Sequence, residues 1–309
     1  MLKPAPLVSI VLPTFNRLKF LPAAVGSILA QTFTDWELII GDDGSDKQTR
    51  EYLRTLAERP RVGVLWLPHS GRPAVARNAA LRKARGEYVA FMDSDDLWVP
   101  RKLEIQIASL QRQVNCAWSQ TDFVLMNAVG APFRTLSVSG GWILEKLVRE
   151  QTTVALPSII VRRERLLEVG AFDETFATCE DYELWWRLAE RSEIDAIHEP
   201  LTLVRRHAEH YADDVACLED LSRIVDKMQR RGTMPHLQAA LTNRRAAVAA
   251  ALVMAYARRN SLPRVLKILV GSAPCSWRYR GWWLSAFKAI FRTFMPAAAL
   301  QILHRYPRS

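Results

Sequence analysis

The chain contains the stretch Tyr88-Val89-Ala90-Phe91-Met92-Asp93-Ser94-Asp95-Asp96, in which an apolar, β-prone segment ends abruptly in three carboxylates. An apolar run of this length predicts a buried strand, and open α/β sheets bind ligands beyond the carboxyl ends of such strands. Carboxylates placed this close repel one another unless a cation lies between them. Mg²⁺ or Mn²⁺ suits closely spaced oxygen ligands, so the stretch predicts a metal site. The alternative is an acidic loop exposed to solvent.

Strands and helices alternate through the first two thirds of the chain. The apolar patterning predicts strands near residues 7–12, 36–41, 62–67 and 88–92, and helices over residues 18–30, 48–58, 74–84 and 97–110. This alternation implies a largely parallel sheet with helices on both faces. No G-x-G-x-x-G follows the first strand, which disfavours a dinucleotide-binding oxidoreductase.

Three further motifs lie at the ends of predicted elements. The first strand ends in Pro13-Thr14-Phe15-Asn16-Arg17, the second in Asp42-Asp43-Gly44-Ser45, and Glu180-Asp181 precedes an apolar helix. In this order and spacing, and together with the carboxylates at 93–96, these motifs resemble the family-2 glycosyltransferases from about residue 7 to residue 207. The resemblance implies a GT-A fold, that is, a Rossmann-like mixed, mainly parallel sheet flanked by helices.

The resemblance also implies an activity. It is the inverting, metal-dependent transfer of a sugar from a nucleoside-diphosphate sugar to a hydroxyl of a glycan or lipid-linked acceptor, in cell-surface polysaccharide synthesis. A sugar-nucleotide nucleotidyltransferase shares the sheet type, but it normally carries a G-x-G-x-R loop where this chain has Pro13-Thr14-Phe15-Asn16-Arg17. A nucleic-acid-binding protein is suggested only by the pI of 9.7, and no such motif appears, so no nucleic-acid partner is expected.

Donor binding has candidates in several motifs. Asp43 could accept a hydrogen bond from a nucleobase imide, and Phe15 offers an aromatic face; the family's residues at both positions contact the base. The alternative for Asp43 is a local Asx-turn before Gly44. Arg77 lies in a segment that resembles the family's G-x-x-x-A-R-N, whose arginine faces the nucleotide, and a guanidinium suits phosphate oxygens. The alternative for Arg77 is a surface position. The expected nucleotide site comprises Pro13, Phe15, Asp43, Arg77, Asp93 and Ser94.

The metal, Mg²⁺ or Mn²⁺, has three candidate ligands. The resemblance assigns the last aspartate of the D-x-D motif, Asp95, to the metal, while Asp93 is expected either to bind it through water or to hold the ribose. His207 belongs to a segment that resembles the family's Y-R-x-H, although Val204 replaces the tyrosine. Asp96 is expected to be a favourable charge at the start of a helix over residues 97–110.

The general base is expected to be Asp181, which resembles the aspartate of the family's E-D motif, with Glu180 supporting the geometry or binding the acceptor. The helix dipole is expected to lower the pKa of Asp181 and keep it ionised at neutral pH. The alternative role for Asp181 is a helix N-cap. Trp185 and Trp186 are adjacent on the same helix, so either one fills the core and the other lines the acceptor cleft, or both fill the core.

Charge divides the chain into two parts. Residues 1–214 contain 26 basic and 29 acidic residues, whereas residues 215–309 contain 16 basic and 3 acidic residues. With the change to an Ala- and Arg-rich composition, this predicts a catalytic domain over residues 1–212 and a basic helical region over residues 213–309. The four cysteines show no metal-ligand spacing, and the N-terminal apolar segment is too short for a signal peptide; both favour a cytoplasmic protein.

The basic region contains two apolar segments. The first, residues 246–257, is far shorter than the roughly 20 residues of a spanning helix and predicts a packed helix. The second, residues 277–295, combines aromatic and basic residues on one helix face, which predicts an interfacial contact with the inner face of the cell membrane. Packing against the catalytic domain or a partner subunit is the alternative.

Overall fold

The computed structural model describes residues 4–207, 214–232, 235–276 and Trp283. The chain divides into two compact units, Met1–His210 and Tyr211–Ser309. The strands of the first unit are Val8–Thr14 (β1), Trp36–Asp42 (β2), Val62–Trp66 (β3), Tyr88–Phe91 (β4), Leu97–Trp98 (β5), Cys116–Met126 (β6), Pro132–Leu136 (β7), Ile160–Arg162 (β8) and Glu193–Arg205 (β9). Its helices are Leu21–Leu29 (α1), Lys47–Ala57 (α2), Pro73–Leu81 (α3), Lys102–Arg112 (α4), Leu144–Val148 (α5), Arg163–Glu168 (α6) and Glu180–Ala189 (α7), with a 3-10 helix at Leu156–Ser158.

The strands form one mixed sheet in the order β3-β2-β1-β4-β8-β6-β9-β5, with β7 paired to β6. The first four strands are parallel, and β8 joins antiparallel to β4. The expected mixed sheet flanked by helices is confirmed. Because Thr14 pairs with Asp42 and Val11 with Phe91, the carboxyl ends of β1, β2 and β4 meet at one edge of the sheet. The motifs that follow these strands are therefore brought together.

Side chains alternate between the two faces of the sheet, as the period of a strand requires. On one face, Ile10 and Leu12 of β1 pack with residues of α1, α2 and α4 such as Leu21, Leu53 and Leu103. On the other face, helices α3 and α7 cover the sheet, where Phe91 meets the aromatic side chains of the segment before α7 and of α7 itself. The sheet is thus a central layer with helices on both faces, and the carboxyl ends of β1, β2 and β4 lie at its edge.

Gly41 sets the distance between β2 and α3. A Cβ atom added at this glycine would lie 2.7 Å from the backbone oxygen of Ala76, closer than real Cβ contacts come. Only glycine therefore allows α3 to pack this tightly against the sheet. Ala76 immediately precedes Arg77, so the close approach also fixes where Arg77 enters the site.

The helix expected to begin at residue 97 begins later. Leu97 and Trp98 form the short strand β5, which pairs with Leu203 and Thr202 of β9, and α4 starts only at Lys102. The prediction was wrong here because pairing with a segment about a hundred residues away overrides the local apolar pattern. The same change removes Asp96 from a helix start.

The second unit contains the helices Asp214–Arg231 (α8), Gln238–Arg258 (α9) and Leu262–Ser276 (α10), with a 3-10 helix at Pro235–Leu237. The apolar stretch at 246–257 lies within α9, where Leu252 and Val253 join a core that includes Val215 and Val265. Within the described ranges, no helix has both the length and the apolar character needed to cross a membrane. The predicted interfacial segment lies outside the described residues apart from Trp283.

Candidate active site

A cavity of about 310 Å³ opens where the carboxyl ends of β1, β2 and β4 meet. Glu180, Asp181 and His207 do not line it, but Glu180 and His207 each contact a residue that does. The cavity is lined by the predicted metal ligand Asp95 and by all of the residues that are predicted to bind the nucleotide, which are Pro13, Phe15, Asp43, Arg77, Asp93 and Ser94.

Asp43 fixes the loop that follows β3. Its Oδ1 accepts hydrogen bonds from the backbone N–H and the hydroxyl of Ser70, both at 2.8 Å, and its Oδ2 accepts from Gly71 N at 2.9 Å. The local turn is instead closed by Asp42, which accepts from Ser45 N at 3.1 Å. The Asp43 carboxylate is therefore engaged with Ser70 and Gly71, not with an Asx-turn before Gly44, and it shapes the cavity wall.

Phe15 and His69 form an aromatic pair beside the cavity. Their rings stack at a centroid distance of 4.1 Å with an interplanar angle of 20°, and Phe15 is 39% exposed. His69 Nδ1 lies 2.9 Å from the backbone oxygen of Asp43 and 3.1 Å from Asp43 Oδ2, so His69 contacts both the aromatic ring and the aspartate. Sequence reasoning missed His69; its place two residues before Gly71, in the loop leading to the A-R-N segment, is the signal that could have found it.

Arg77 lies between two carboxylates. Its Nη2 donates to Asp93 Oδ1 at 2.7 Å, and its Nη1 pairs with Glu180 Oε1. The side chain is buried and packs over the ring of Phe172, which excludes the surface position considered for it. Burial disfavours the charged guanidinium, but Asp93 and Glu180 raise the pKa of Arg77 above its usual value. Arg77 thus remains a cation that joins the D-x-D turn to the start of α7.

Asp181 lies in the first turn of α7, half-buried, where its Oδ1 accepts from Tyr182 N at 2.7 Å. Burial, together with the charge of Glu180 and against the opposing charge of Arg77, raises the pKa of Asp181 to about 7. The expectation of a lowered pKa was wrong, because burial and a neighbouring carboxylate outweigh the helix dipole. The N-cap position belongs to Cys179, so Asp181 is not the cap. A carboxylate with this pKa can accept a proton at neutral pH.

Asp95 and His207 meet although they come from distant parts of the chain. His207 Nε2 lies 2.9 Å from Asp95 Oδ2, and both side chains are buried. His207 therefore lies against the carboxylate that is predicted to bind the metal, and its role as a metal ligand stays a prediction. His207 thus reaches Asp95 with Val204 in the place of the tyrosine.

Asp96 secures this contact. Its Oδ1 accepts from the backbone N–H of Arg205 at 2.6 Å, while Arg205 Nε donates to the backbone oxygen of Asp95 at 2.8 Å. Asp96 is fully buried and is not a helix-start charge as expected, because the chain enters β5 after the turn. The two hydrogen bonds hold the end of β9 against the D-x-D turn and so place His207 on Asp95.

The donor atoms at this turn fit a divalent cation. Nowhere in the described ranges do three His, Cys, Asp or Glu side chains converge as metal ligands. Asp95 and His207 nevertheless offer one oxygen and one nitrogen, and Mg²⁺ commonly takes one or two carboxylates together with substrate phosphates. Burial, with the charges of Asp95 and Asp93, raises the pKa of Asp96 well above its usual range, and Asp96 Oδ2 is buried without a hydrogen-bond partner. A cation at this turn would offset that excess of negative charge.

Both adjacent tryptophans of α7 belong to the core. Trp185 and Trp186 are each 0% exposed, and Trp185 stacks on Trp118 at a centroid distance of 5.6 Å. The idea that one of them lines an acceptor cleft is therefore excluded. They anchor α7 to the sheet and so steady the turn that carries Asp181.

Sequence comparison relates the chain to sugar-transferring enzymes. The sequence model of glycosyl transferase family 2 matches residues 9–169. TuaG of Bacillus subtilis (strain 168), a glycosyltransferase assigned to teichuronic acid biosynthesis, is 41% identical over 128 residues, covering 41% of this chain and 50% of that protein. WfgD of Escherichia coli, named UDP-Glc:alpha-D-GlcNAc-diphosphoundecaprenol beta-1,3-glucosyltransferase, is 30% identical over 193 residues, covering 62% of this chain and 73% of that protein.

Structural comparison shows the same fold in two solved proteins. Staphylococcus aureus TarS residues 1–349 in complex with UDP-GlcNAc superposes with a TM-score of 0.67 at 19% identity, covering 87% of this chain and 81% of that one. The mannosyltransferase PcManGT of Pyrobaculum calidifontis, in complex with GDP-Man and Mn²⁺, superposes with a TM-score of 0.59 at 20% identity, covering 98% and 89%.

Proposed function

The chain belongs to glycosyl transferase family 2, and from this membership we propose that it transfers a sugar from a nucleoside diphosphate to a hydroxyl of a glycan or lipid-linked acceptor. The proposed setting is the synthesis of a cell-surface polysaccharide. The names of the relatives support both parts, because TuaG is assigned to teichuronic acid biosynthesis and WfgD is named for a diphosphoundecaprenol-linked acceptor. The region matched in TuaG is only half of that protein's length, so these substrates are proposals for this chain.

The single observation that carries the proposal is the convergence of Asp43, Asp93 and Asp95 on one cavity at the edge of the sheet. In the proposed donor complex, the nucleobase lies against Phe15 near Asp43, and Pro13 and Ser94 line the same space. The diphosphate lies toward Asp93 and Asp95. A divalent cation held by Asp95 and His207 would offset the charge that develops on the leaving diphosphate.

Asp181 is the proposed general base. With its pKa near 7 it is partly ionised at neutral pH and can take the acceptor's hydroxyl proton, most directly on Oδ2, because Oδ1 already accepts from Tyr182 N. As the acceptor oxygen forms its bond to the anomeric carbon, the bond to the diphosphate oxygen breaks on the opposite face of the sugar. A single base and a single displacement give a product with inverted anomeric configuration.

The membrane association is proposed for the full chain. Acceptors carried on lipid lie at a membrane surface, and the basic, aromatic segment at 277–295 would hold a cytoplasmic enzyme there. This proposal rests on composition and on the acceptor class alone.

The deciding experiment screens nucleoside diphosphates and their sugars by thermal shift and calorimetry with the full chain, each with Mn²⁺ and with EDTA. We expect one base to raise Tm in a metal-dependent manner, and its sugar donor to be consumed when a matching acceptor is added. NMR of fresh product then reports the anomeric configuration. Absence of binding to every nucleoside diphosphate at millimolar concentration would contradict the proposal, and retention of configuration would contradict the single displacement.

A further inference from the structure

The guanidinium of Arg77 contacts two parts of the proposed active site. Asp93 belongs to the turn after β4, and Glu180 is the first residue of α7, next to the proposed base. Arg77 of α3 donates to both. We propose that Arg77 is a positioning residue that joins the donor-binding turn to the base-bearing helix through Asp93 and Glu180, and that it is not a phosphate ligand. The inference rests on the proposed function.

The local charge argues against a phosphate contact. The single positive charge of Arg77 is offset by the carboxylates of Asp93 and Glu180 within hydrogen-bond distance, and Asp181 adds a further acidic group beside them. The remaining guanidinium nitrogen, Nε, is buried without a hydrogen-bond partner. A diphosphate that approached Arg77 would therefore meet more negative charge than positive charge.

The contacts around Arg77 hold its side chain in place as a bridge between Asp93 and Glu180. The next residue, Asn78, donates to the backbone oxygen of Phe172 at 2.9 Å and accepts from its backbone N–H at 3.1 Å. The ring of Phe172 packs against the Arg77 guanidinium, whose carbon is 5.5 Å from the ring centroid. Because Gly41 also holds α3 close to β2, the bridge is anchored on the sheet and on the segment before α7.

The bridge matters because proton transfer depends on geometry. A displacement of about 1 Å can cost on the order of 10²-fold in rate. Without Arg77, the carboxylates of Asp93 and Glu180 would lose their shared counter-ion, and the start of α7, which carries Asp181, would shift away from the turn. Lysine cannot replace this function fully, because its compact ammonium lacks the planar fork that reaches two carboxylates at once.

The test separates positioning from binding. We compare the full wild-type chain with Arg77→Met, Arg77→Lys, Glu180→Gln and the double variant Arg77→Met/Glu180→Gln. Arg82→Met, which removes an exposed positive charge just after α3, is the control. UDP and GDP with Mn²⁺ are the binding probes, and kcat is measured with the donor that the wild-type enzyme uses.

We expect Arg77→Met to lower kcat by about 10²-fold or more while the Kd of the nucleoside diphosphate changes less than about threefold. Arg77→Lys should retain intermediate turnover. Arg77→Met lowers kcat by some factor in each background. In the Glu180→Gln background this factor should be at least about tenfold smaller than in wild type, because the two residues act as one unit. A tenfold or larger rise in Kd with unchanged kcat, or strictly additive losses in the double variant, overturns the proposal.

The same variants distinguish failure of this inference from failure of the proposed function. If wild type transfers no sugar, the proposed function fails, and the bridge is judged by a double-mutant cycle on the free energy of unfolding. Non-additive unfolding energies then support the contact between Arg77 and Glu180, and additive ones overturn it. Should Arg77→Met not fold, the change in kcat is compared with the change in Kd for Arg77→Lys and Glu180→Gln instead.

Discussion

At the residue scale, the environment of Asp181 gives its carboxyl group a pKa far from the ordinary value. A carboxyl group in water has a pKa near 4 and is a poor proton acceptor at neutral pH. Burial and the adjacent Glu180 raise the pKa of Asp181 to about 7. The residue therefore combines a position at the start of a helix with a pKa at which a carboxylate can accept a proton near neutral pH.

Asp181→Asn is expected to lower kcat by about 10²- to 10⁴-fold, because the amide cannot take the hydroxyl proton. The Kd for the nucleoside diphosphate should stay nearly constant, since Asp181 does not line the donor cavity. Steady-state kinetics and calorimetry measure the two quantities, and Tm shows that the variant is folded. Wild-type kcat in a folded variant would remove Asp181 from the mechanism.

The pH profile gives a second prediction. The base acts only when unprotonated, so kcat/KM should fall as the pH drops through about 7, the pKa of Asp181. Glu180→Gln removes a negative charge that raises this pKa, and it leaves the opposing charge of Arg77 in place. The acidic limb of the pH profile, in which kcat/KM falls as the pH drops, should therefore move to lower pH in this variant. Glu190→Gln, at the other end of α7, is the control, and an unmoved limb in Glu180→Gln would contradict the assignment of the limb to Asp181.

The metal contact is tested by Asp95→Asn. The amide keeps the shape of the side chain but loses the charge that a divalent cation needs. We expect Mn²⁺ to strengthen binding of the nucleoside diphosphate to wild type and to have little effect on the variant, with turnover largely lost. Glu58→Gln, an exposed position after α2, should behave as wild type. Metal-dependent binding that persists in Asp95→Asn would show that Asp95 is not a ligand.

At the element scale, the close approach of α3 to β2 governs where Arg77 enters the site. Gly41→Ala places a Cβ atom 2.7 Å from the backbone oxygen of Ala76, so helix and strand must separate. We expect a loss of about 1–3 kcal/mol in unfolding free energy, as for other overpacked sites. Chemical denaturation measures the loss, and kcat should fall with it because Arg77 moves. Gly63→Ala on β3, where an added Cβ meets nothing within 4 Å, is the matched control; equal effects of the two substitutions would contradict the packing argument.

Local patterns predicted the elements that depend on local chemistry. The strand that ends at Phe91 and the acidic turn after it follow from an apolar run that meets carboxylates, and they were predicted directly. The pairing of Leu97 with Leu203 could not be read from the sequence, because nothing near either residue reports the other. The pKa of Asp181 was misjudged for a related reason: the helix dipole is visible in the sequence, whereas burial is not.

At the scale of the whole molecule, charge is distributed unevenly along the chain. The first 214 residues carry a small net negative charge, and the remaining 95 carry 16 basic residues against 3 acidic ones. The chemistry proposed for the first unit does not require such a basic region. The charge asymmetry therefore favours a second role for the basic region. Because the proposed acceptor is carried on lipid, we propose that this role is attachment to an anionic membrane surface.

Liposome co-sedimentation tests this role. Each basic residue close to an anionic leaflet contributes about 1 kcal/mol, so four of them supply up to ~4 kcal/mol before ordering costs. The full chain should sediment with vesicles that contain anionic lipid and much less with neutral vesicles. The variant Arg278→Gln/Arg280→Gln/Lys288→Gln/Arg292→Gln should lose this difference. Equal sedimentation of wild type and variant would assign the segment to packing or to subunit contact.

The contact between Asp95 and His207 joins residues 112 positions apart, and β5 pairs with β9 over a similar separation. The first four strands, by contrast, come from one continuous segment of the chain and pair with one another within it. Contacts between distant segments form slowly, because the entropy of closing the intervening loop is lost before the contact is gained. The first four strands can thus assemble early, whereas the histidine reaches its aspartate only when β9 completes the sheet. A cation held by Asp95 and His207, as proposed, would consequently bind only late in folding.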